Sequence, residues 1–444
     1  MPAPSRRVLV VGSGAREHAL AWKLARDGAE VFTAPGNAGT AALGENIPVA
    51  ADDLPALLAA ARARGCDLTV VGPEAPLVAG VVDLFQKEGL RVFGPTAAAA
   101  RIEGSKAFCK QILRRGDVPT ALHREFRSAA AAIEYLGSRD DMPVVVKADG
   151  LAAGKGVVVC SDRAEAVEAV QLLARDPQFA TAARTILVEE RLEGPEVSVM
   201  AVTDGRTIVT LPPLQDHKAA HDGDVGPNTG GMGAYCPTPF VDAAIGAEIE
   251  ARVLVPTVHA MRRSNVPFHG VLFAGLMLTP QGPKVLEFNA RFGDPECETL
   301  MALLDSSLLE ILDATVDRRL DSIADPAWRP GAAVTVVMAS EGYPGPVAKG
   351  RPIRGLDEAA AVDGVTVFHA ATRAVSGPDG PAPVNDGGRT LAVTAVGDSL
   401  ANAKRRAYSA VRCIRWDGAW CRKDIADKGI DRARIAAAMT EPER

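Results

Sequence analysis

The sequence predicts a multidomain chain of α/β and α+β class: an N-terminal doubly wound parallel sheet, a central body carrying a small flap, and a C-terminal α+β domain. Three observations predict it. Over residues 8–96, short β-branched runs alternate with helical periods and each run ends in a Gly/Pro-rich loop, as in an open parallel sheet. Between 197 and 288 the strands instead come in pairs joined by tight turns, which marks antiparallel pairing. At 325–331, Asp-Pro-Ala-Trp-Arg-Pro-Gly interrupts all periodicity, and beyond it strands at 333–338, 365–369 and 390–396 are joined by a helix at 402–414. A length of 444 residues has room for several separate cores.

Apolar residues make up 47% and charged residues 23%, a balance that excludes a disordered chain. The net charge of −6 gives no general attraction for nucleic acid or an anionic membrane, so neither partner is expected and an anionic ligand must be held locally. No apolar run reaches the roughly eighteen residues of a membrane span, and Val-Leu-Val-Val at 8–11 is too brief for a signal-peptide core. The seven cysteines are scattered without a C-x-x-C pair and read as thiols of a reducing compartment. A cytoplasmic monomer is expected.

Residues 8–11 form a buried strand, and Gly12-Ser13-Gly14 turns it into an amphipathic helix at 15–26. Free backbone N–H groups and the helix dipole then meet at one spot, which suits an anion near Arg16. A dinucleotide fingerprint needs a small residue where Glu17 stands and an acid after the second strand, which ends Thr33-Ala34, so NAD is discounted. Strands at 30–33, 67–71 and 91–93 run into loops at 35–40, 72–76 and 94–96. Such loops line one ligand-binding edge, where Asn37, Thr40 and Glu74 suit a sugar, although plain turns would also read this way.

A helix at 105–115 leads to Pro119, where a new element starts. Apolar strands at 144–147 and 157–160 flank the loop 148–156, whose glycines let backbone close over oxygens while Lys147 and Lys155 supply charge. It reads as a phosphate flap, without the Walker A pattern. A helix at 164–174 and a strand at 185–189 follow, then a hairpin of 197–202 with 207–211 turned at Asp204-Gly205. The hairpin delivers residues 214–235, a Gly-rich segment with neither helical nor strand period that gathers Asp216, His217, Lys218 and His221. A long polar loop inside a compact chain is a mark of function. A helix at 243–263, a hairpin of 270–278 with 284–288, and a helix at 295–312 complete the body; 376–383 reads as an exposed loop.

Alternation along a strand puts Glu287 and Asn289 on one face. A carboxylate and an amide carbonyl are hard ligands that suit Mg²⁺, which takes its other oxygens from water and phosphates. Zinc is discounted: His217 and His221 stand four apart, but the surrounding Asp, Gly and Pro forbid the helix, and Lys218 occupies the base position of H-E-x-x-H. Arg291 with Asp294 also reads as a structural ion pair, and Lys155 as a solvated charge.

Taken together, GSGAREHAL (12–20), GPEAPLVAG (72–80), FGPT (93–96), EGSKAF (103–108), VVKADGLAAGKGV (145–157), QDHK (215–218), DGDVGPNTGGMGAY (222–235), EFNARFGDPE (287–296) and YPGPVAKG (343–350) resemble, in order, the phosphoribosylamine–glycine ligase family of the ATP-grasp superfamily. The resemblance implies a central ATP-grasp fold and a division into an N-terminal domain (1–105), an ATP-grasp body (106–125 and 195–325), a flap subdomain (126–194) and a C-terminal domain (326–444). It implies ligation of glycine to 5-phosphoribosylamine with ATP and Mg²⁺ or Mn²⁺, giving glycinamide ribonucleotide, ADP and phosphate through a glycyl phosphate, the second step of purine biosynthesis.

Carried over residue by residue, the resemblance implies that Lys106, Lys147, Gly154, Lys155, Gly156, Glu189, Glu190, Leu192 and Glu196 hold ATP. Gly12, Gly14, Arg16, Glu17, Asn37, Gly39, Thr40 and Glu74 would hold the phosphoribosylamine. Asp216, His217, Lys218, Arg291 and Asp294 would surround the reacting amine and glycine, and Glu287 and Asn289 would bind the metal. The chain departs from the family at Ser13 and Ala15, where the family is richer in glycine, and at Ala219, where it carries arginine; 270–277 holds no second metal carboxylate. Two other readings stay open: an ATP-grasp ligase of a different acid and amine, and a catalytically silent nucleotide-binding module.

Overall fold

The computed structural model describes residues 5–150, 156–175, 185–377 and 380–440, the last of these with side chains to 433. Strands β1 (Arg7–Gly12), β2 (Glu30–Pro35), β3 (Glu45–Asn46), β4 (Leu68–Val71) and β5 (Val92–Phe93) form a parallel sheet in the order β3-β2-β1-β4-β5. Val8 to Val11 are fully buried, as expected of a β-branched strand covered on both faces. The order reverses beside β1, so the crevice beyond β1 and β4 is where the loops of this sheet can close on a ligand.

The flap follows as β6 (His123–Phe126), β7 (Val144–Ala148), β8 (Val157–Cys160) and β9 (Ile186–Glu190), in the order β6-β9-β7-β8, with helices Ala129–Ser138 and Arg163–Arg175 packed on it. It has a core of its own, which includes Leu136, Val146, Val170 and Val188. Strands β10 (Glu196–Thr203) and β11 (Ile208–Thr210) make the expected hairpin.

The segment after that hairpin differs from expectation. It contains β12 (Gln215–Asp216), β13 (Ala219–His221), β14 (Val225–Asn228) and β15 (Gly233–Cys236), with β12 on β15 and β13 on β14. Strands of two to four residues are too short to show a period, and their pairing is set by neighbours distant in the chain. Strands β16 (Gly270–Thr279) and β17 (Gly282–Asn289) complete a central sheet of order β11-β10-β16-β17. The expected helix at 243–263 continues through a π-helical turn at Glu250–Leu254. The one expected at 295–312 is two, Glu296–Leu303 and Leu308–Val316, because Leu304 turns extended and Ser307 caps the second by accepting from Glu310 N.

The last part holds β18 (Ala332–Ser340), β19 (Val365–His369), β20 (Thr372–Gly377), β21 (Gly380–Asn385), β22 (Arg389–Gly397) and β23 (Ala419–Trp420). Its six-stranded sheet runs β12-β15-β18-β22-β19 with β23 beside β18, so two strands come from the central segment. Of the loop expected at 376–383, residues 376–377 and 380–383 are strand ends of a β20–β21 ribbon, and 378–379 lie outside the described residues. Pro381 and Pro383 masked the ribbon, and prolines are tolerated in such a two-stranded edge. One apolar cluster joins Val10 and Leu20 to Met200, Leu300, Val337 and Phe368, welding the first, central and last sheets together.

Candidate active site

At the end of β1 the chain turns through 12–14 into the helix Ala15–Arg26. Glu17, almost wholly buried, folds back over that turn: Gly14 N donates to its Oε2 at 2.6 Å and Arg16 Nε to its Oε1 at 2.5 Å. This is a capping box in which the acid satisfies an orphan donor of the helix. A Cβ at Gly72 would collide with the Glu17 carboxylate, so the loop after β4 needs a glycine to pass it. Arg16 also donates to Phe292 O at 3.2 Å.

Asn37, Gly39 and Thr40 form an inward brace. Asn37 Nδ2 donates to Ser13 O (2.9 Å) and His369 O (2.8 Å), and its Oδ1 accepts from the backbone of Gly39 (2.9 Å) and Thr40 (3.0 Å). Thr40 Oγ1 donates to Asn46 Oδ1 at 2.8 Å. These polar groups shape the turn rather than present themselves to its mouth.

Strand β17 presents Glu287 and Asn289 on one face, as alternation requires. Burial pushes the Glu287 carboxyl up, but Lys218, Lys147, Lys106 and Arg291 outweigh it and hold the group below its ordinary value. Among the described residues this carboxylate makes no hydrogen bond or ion pair, although four cations surround it. Asn289 Oδ1 accepts from Arg291 Nη2 at 3.2 Å. No group of three His, Cys, Asp or Glu among the described residues could hold an ion unaided. Two oxygens amid phosphate-attracting cations fit Mg²⁺ or Mn²⁺, whose other positions are filled by water and phosphate, and do not fit a closed protein cage.

Arg291 ties three elements together, with Nη2 on Glu103 Oε1 at 2.8 Å and Nε facing Glu74 Oε2 at 3.5 Å. Burial pushes the Glu74 carboxyl up, yet Arg291 and Arg16 pull it below its ordinary value. Asp294 pairs with Arg389 Nη1 at 2.9 Å.

The Q-D-H-K run is split by strand alternation. Asp216 and Lys218 face Glu196 and Glu287, and Lys218 Nζ lies 2.8 Å from Glu196 Oε2. Burial, with Glu196 and Glu287 against Lys218, leaves the Asp216 carboxyl raised. Glu196, Asp216 and Glu287 hold Lys218 well above its ordinary value despite its burial. Gln215 and His217 point the other way, toward Tyr235: its hydroxyl donates to Gln215 Oε1, and its ring lies 6.0 Å from that of His217. His217 is therefore parted from the group it is expected to join, because adjacent strand residues take opposite faces. Among the described residues both its ring nitrogens are buried without a partner, and burial followed by Arg422 lowers its pKa to about 4.

From the flap, Lys147 Nζ lies 3.0 Å from Glu189 Oε2 and 3.2 Å from Leu286 O, joining the flap to β17. Lys106 Nζ donates to Gly150 O at 3.0 Å, and burial lowers its pKa. Gly156 O accepts from Ala148 N at 2.9 Å, while Gly154 and Lys155 lie outside the described residues. Glu190 meets Lys284 at 3.2 Å, and Leu192 is a half-buried loop residue beyond β9.

Four further groups complete the site. Lys110 lies 3.2 Å from Glu189 Oε1, Glu103 holds Arg291, Glu296 accepts from Ser198 Oγ at 3.2 Å, and Arg389 holds Asp294. Glu103 and Glu296 stand inside EGSKAF and EFNARFGDPE, so their motifs could have flagged them. Lys110 sits two residues past the first of these, and Arg389 has no local signal.

The chain matches the family models for phosphoribosylglycinamide synthetase: N domain over residues 6–103, ATP-grasp (A) domain over 104–297 and C domain over 333–428. It is 56% identical over 430 residues to the phosphoribosylamine–glycine ligase of Rhodopirellula baltica, covering 95% of this chain and 98% of that one. Against the Pseudomonas aeruginosa protein of the same name the identity is 48% over 434 residues, with 96% and 99% covered. Among solved structures it is similar to the phosphoribosylamine–glycine ligase of Thermotoga maritima, with a TM-score of 0.80, 33% identity and coverage of 95% and 100%.

Proposed function

We propose, on the premise that the chain belongs to the phosphoribosylglycinamide synthetase family, that it joins glycine to 5-phosphoribosylamine, converting ATP to ADP and phosphate and releasing glycinamide ribonucleotide. The observation that carries this reading is the ring of Lys106, Lys147, Lys218 and Arg291 around a Glu287 carboxylate that has no direct partner among the described residues. A glycine carboxylate oxygen attacks the γ-phosphorus, the bond to ADP breaks, and glycyl phosphate forms. The ribosylamine nitrogen then attacks the acyl carbon, the C–O bond to phosphate breaks, and the nitrogen sheds a proton. The cations meet the charge that moves during the first step, and an enclosed site keeps water from the acyl phosphate. Held by Glu287 and Asn289, Mg²⁺ or Mn²⁺ would draw negative charge from the phosphates.

In this reading Lys106, Lys147, Glu189, Glu190, Leu192 and Glu196 hold ATP, with Gly154, Lys155 and Gly156 in the covering loop. The turn at Gly12 and Gly14, with Arg16, Glu17 and Glu74, holds the phosphoribosylamine, braced by Asn37, Gly39 and Thr40. Asp216, Lys218, Arg291 and Asp294 line the meeting point, and His217 supports β12 from behind. The division into 1–105, 106–125 with 195–325, 126–194 and 326–444 is part of the same proposal, as is a cytoplasmic monomer. No helix among the described residues is long and apolar enough to cross a membrane.

The test is ADP release with ATP and Mg²⁺, glycine and freshly generated phosphoribosylamine, each omitted in turn. Turnover should need all of them and yield glycinamide ribonucleotide by mass; ATP binding without such turnover would move the assignment to another acid or amine. Glu287→Gln should lower the rate on the order of a hundredfold at limiting Mg²⁺. Unchanged activity there would remove Glu287 from the metal site.

A further inference from the structure

Arg389 opens β22 in the C-terminal sheet, yet its side chain ends at the active-site loops. One nitrogen, Nη1, lies 2.7 Å from Gly230 O, 3.2 Å from Gly231 O, 3.0 Å from Asp294 O and 2.9 Å from Asp294 Oδ1. Four negative atoms converging on a single nitrogen call for a point charge rather than a forked donor. The glycines make room for it. A Cβ on Gly230 would stand 2.9 Å from the Arg389 guanidinium carbon. Gly231 has φ +110°, and a Cβ there would stand 2.6 Å from Pro295 Cδ. A second C-terminal residue, Tyr343, accepts from Gly230 N through its hydroxyl at 3.2 Å.

The other oxygen of Asp294 faces the N-terminal turn, and a Cβ on Gly14 would lie 3.4 Å from Oδ2. One turn beyond it in the helix, Glu298 is completely buried with both carboxylate oxygens unpartnered among the described residues, and burial followed by Asp294 pushes its pKa well up. Arg389 is thus the cation between a carboxylate aimed at the turn and a second acid buried behind it. Without it, Asp294 is free to rotate away from the turn and the Gly230-Gly231 carbonyls lose their donor.

We infer that Arg389 is a positioning residue supplied by the C-terminal domain, which fixes Asp294 and the Gly230-Gly231 backbone against the turn that receives phosphoribosylamine. The inference rests on the ligase reading above. It concerns one substrate and leaves the ATP side, built from the flap and β17, untouched.

The experiment measures kcat and KM for ATP, glycine and phosphoribosylamine in wild type, Arg389→Gln, Arg389→Lys and Asp294→Asn. Arg389→Gln should raise the phosphoribosylamine KM about tenfold or more while the ATP KM stays within about twofold. Arg389→Lys, which keeps a point charge with several donors, should recover most of the loss. Combining Arg389→Gln with Asp294→Asn should cost less than the two changes multiplied. Equal rises in all three KM values, a fall in thermal midpoint with unchanged kinetics, or no rescue by lysine would overturn the inference. If Arg389→Gln does not fold, the other two variants decide it: Asp294→Asn should raise the phosphoribosylamine KM and not that of ATP, and Arg389→Lys should stay close to wild type, whereas an unchanged phosphoribosylamine KM in Asp294→Asn would overturn the inference. A wild-type enzyme that makes no glycinamide ribonucleotide would instead sink the ligase reading, a failure visible before any variant is compared.

Discussion

Glu296 is buried beside Asp216, and burial and that neighbour push its carboxyl up to about 7. A glutamate raised in the folded state keeps a proton that the unfolded chain has already released, so between roughly pH 4.3 and 7 its contribution falls as pH rises. Glu296→Gln removes this slope, and the thermal midpoint of the variant relative to wild type should climb by a few degrees between about pH 5 and pH 8. A constant difference would assign the proton to another acid. Buried His18, His217 and His369, lowered to about 3, 4 and 4, act oppositely in the same window because only the unfolded chain takes up protons; comparison with wild type cancels them. At this scale the sequence made Glu287 and Asn289 legible, since a strand of eight residues fixes which side chains share a face. It did not reveal the turning away of His217, whose two-residue neighbour strand takes its phase from β15. Nor did it reveal the inward brace of Asn37, whose partner His369 O comes from the far end of the chain.

The β13–β14 ribbon is latched by Arg422, whose side chain is fully buried. It donates to Ala219 O at 3.0 Å and pairs with Asp224 at 3.0 Å and Asp424 at 2.6 Å, while Asp222 accepts from Lys423 N. Arg422→Met would strand these acids. The expected loss is about 3 kcal/mol, toward the low end for breaking a buried pair, because Asp224 is part-exposed and keeps Lys428. Denaturant unfolding should show a lower midpoint with an unchanged slope, and a loss below about 1 kcal/mol would mean that the latch is ornamental. Long elements were legible: β1, β16 and the helix Ala15–Arg26 follow their apolar periods to within a residue or two. The ribbons of 215–236 were not, and neither was the break between Leu303 and Leu308, where the run of leucines continues across the gap.

Phe368 sits edge-on between His18 and Trp22, at 5.5 Å and 5.6 Å between ring centres, so the last sheet is docked on the first helix. Among the described residues the flap shares none of that core. Phe368→Ala should cost about 3–5 kcal/mol. It should speed amide exchange in β1 and β18 together while leaving β7 and β9 unchanged. Faster exchange in the flap as well would show that it opens with the body. The parallel sheet and the final α+β domain were both visible in the sequence, whereas the sharing of one sheet between β12, β15 and β18 was not, because local patterning says nothing about strands so far apart. That sharing orders events on the ribosome. Strand β15 emerges on the order of ten seconds before β18, the neighbour that completes its edge. Until then the arm carrying Asp216 and Lys218 rests on β10 alone, through Gln215 Nε2 on Glu196 O and Lys218 on the Glu196 carboxylate, so a nascent or prematurely terminated chain carries these two residues without the sheet edge that frames them in the finished protein.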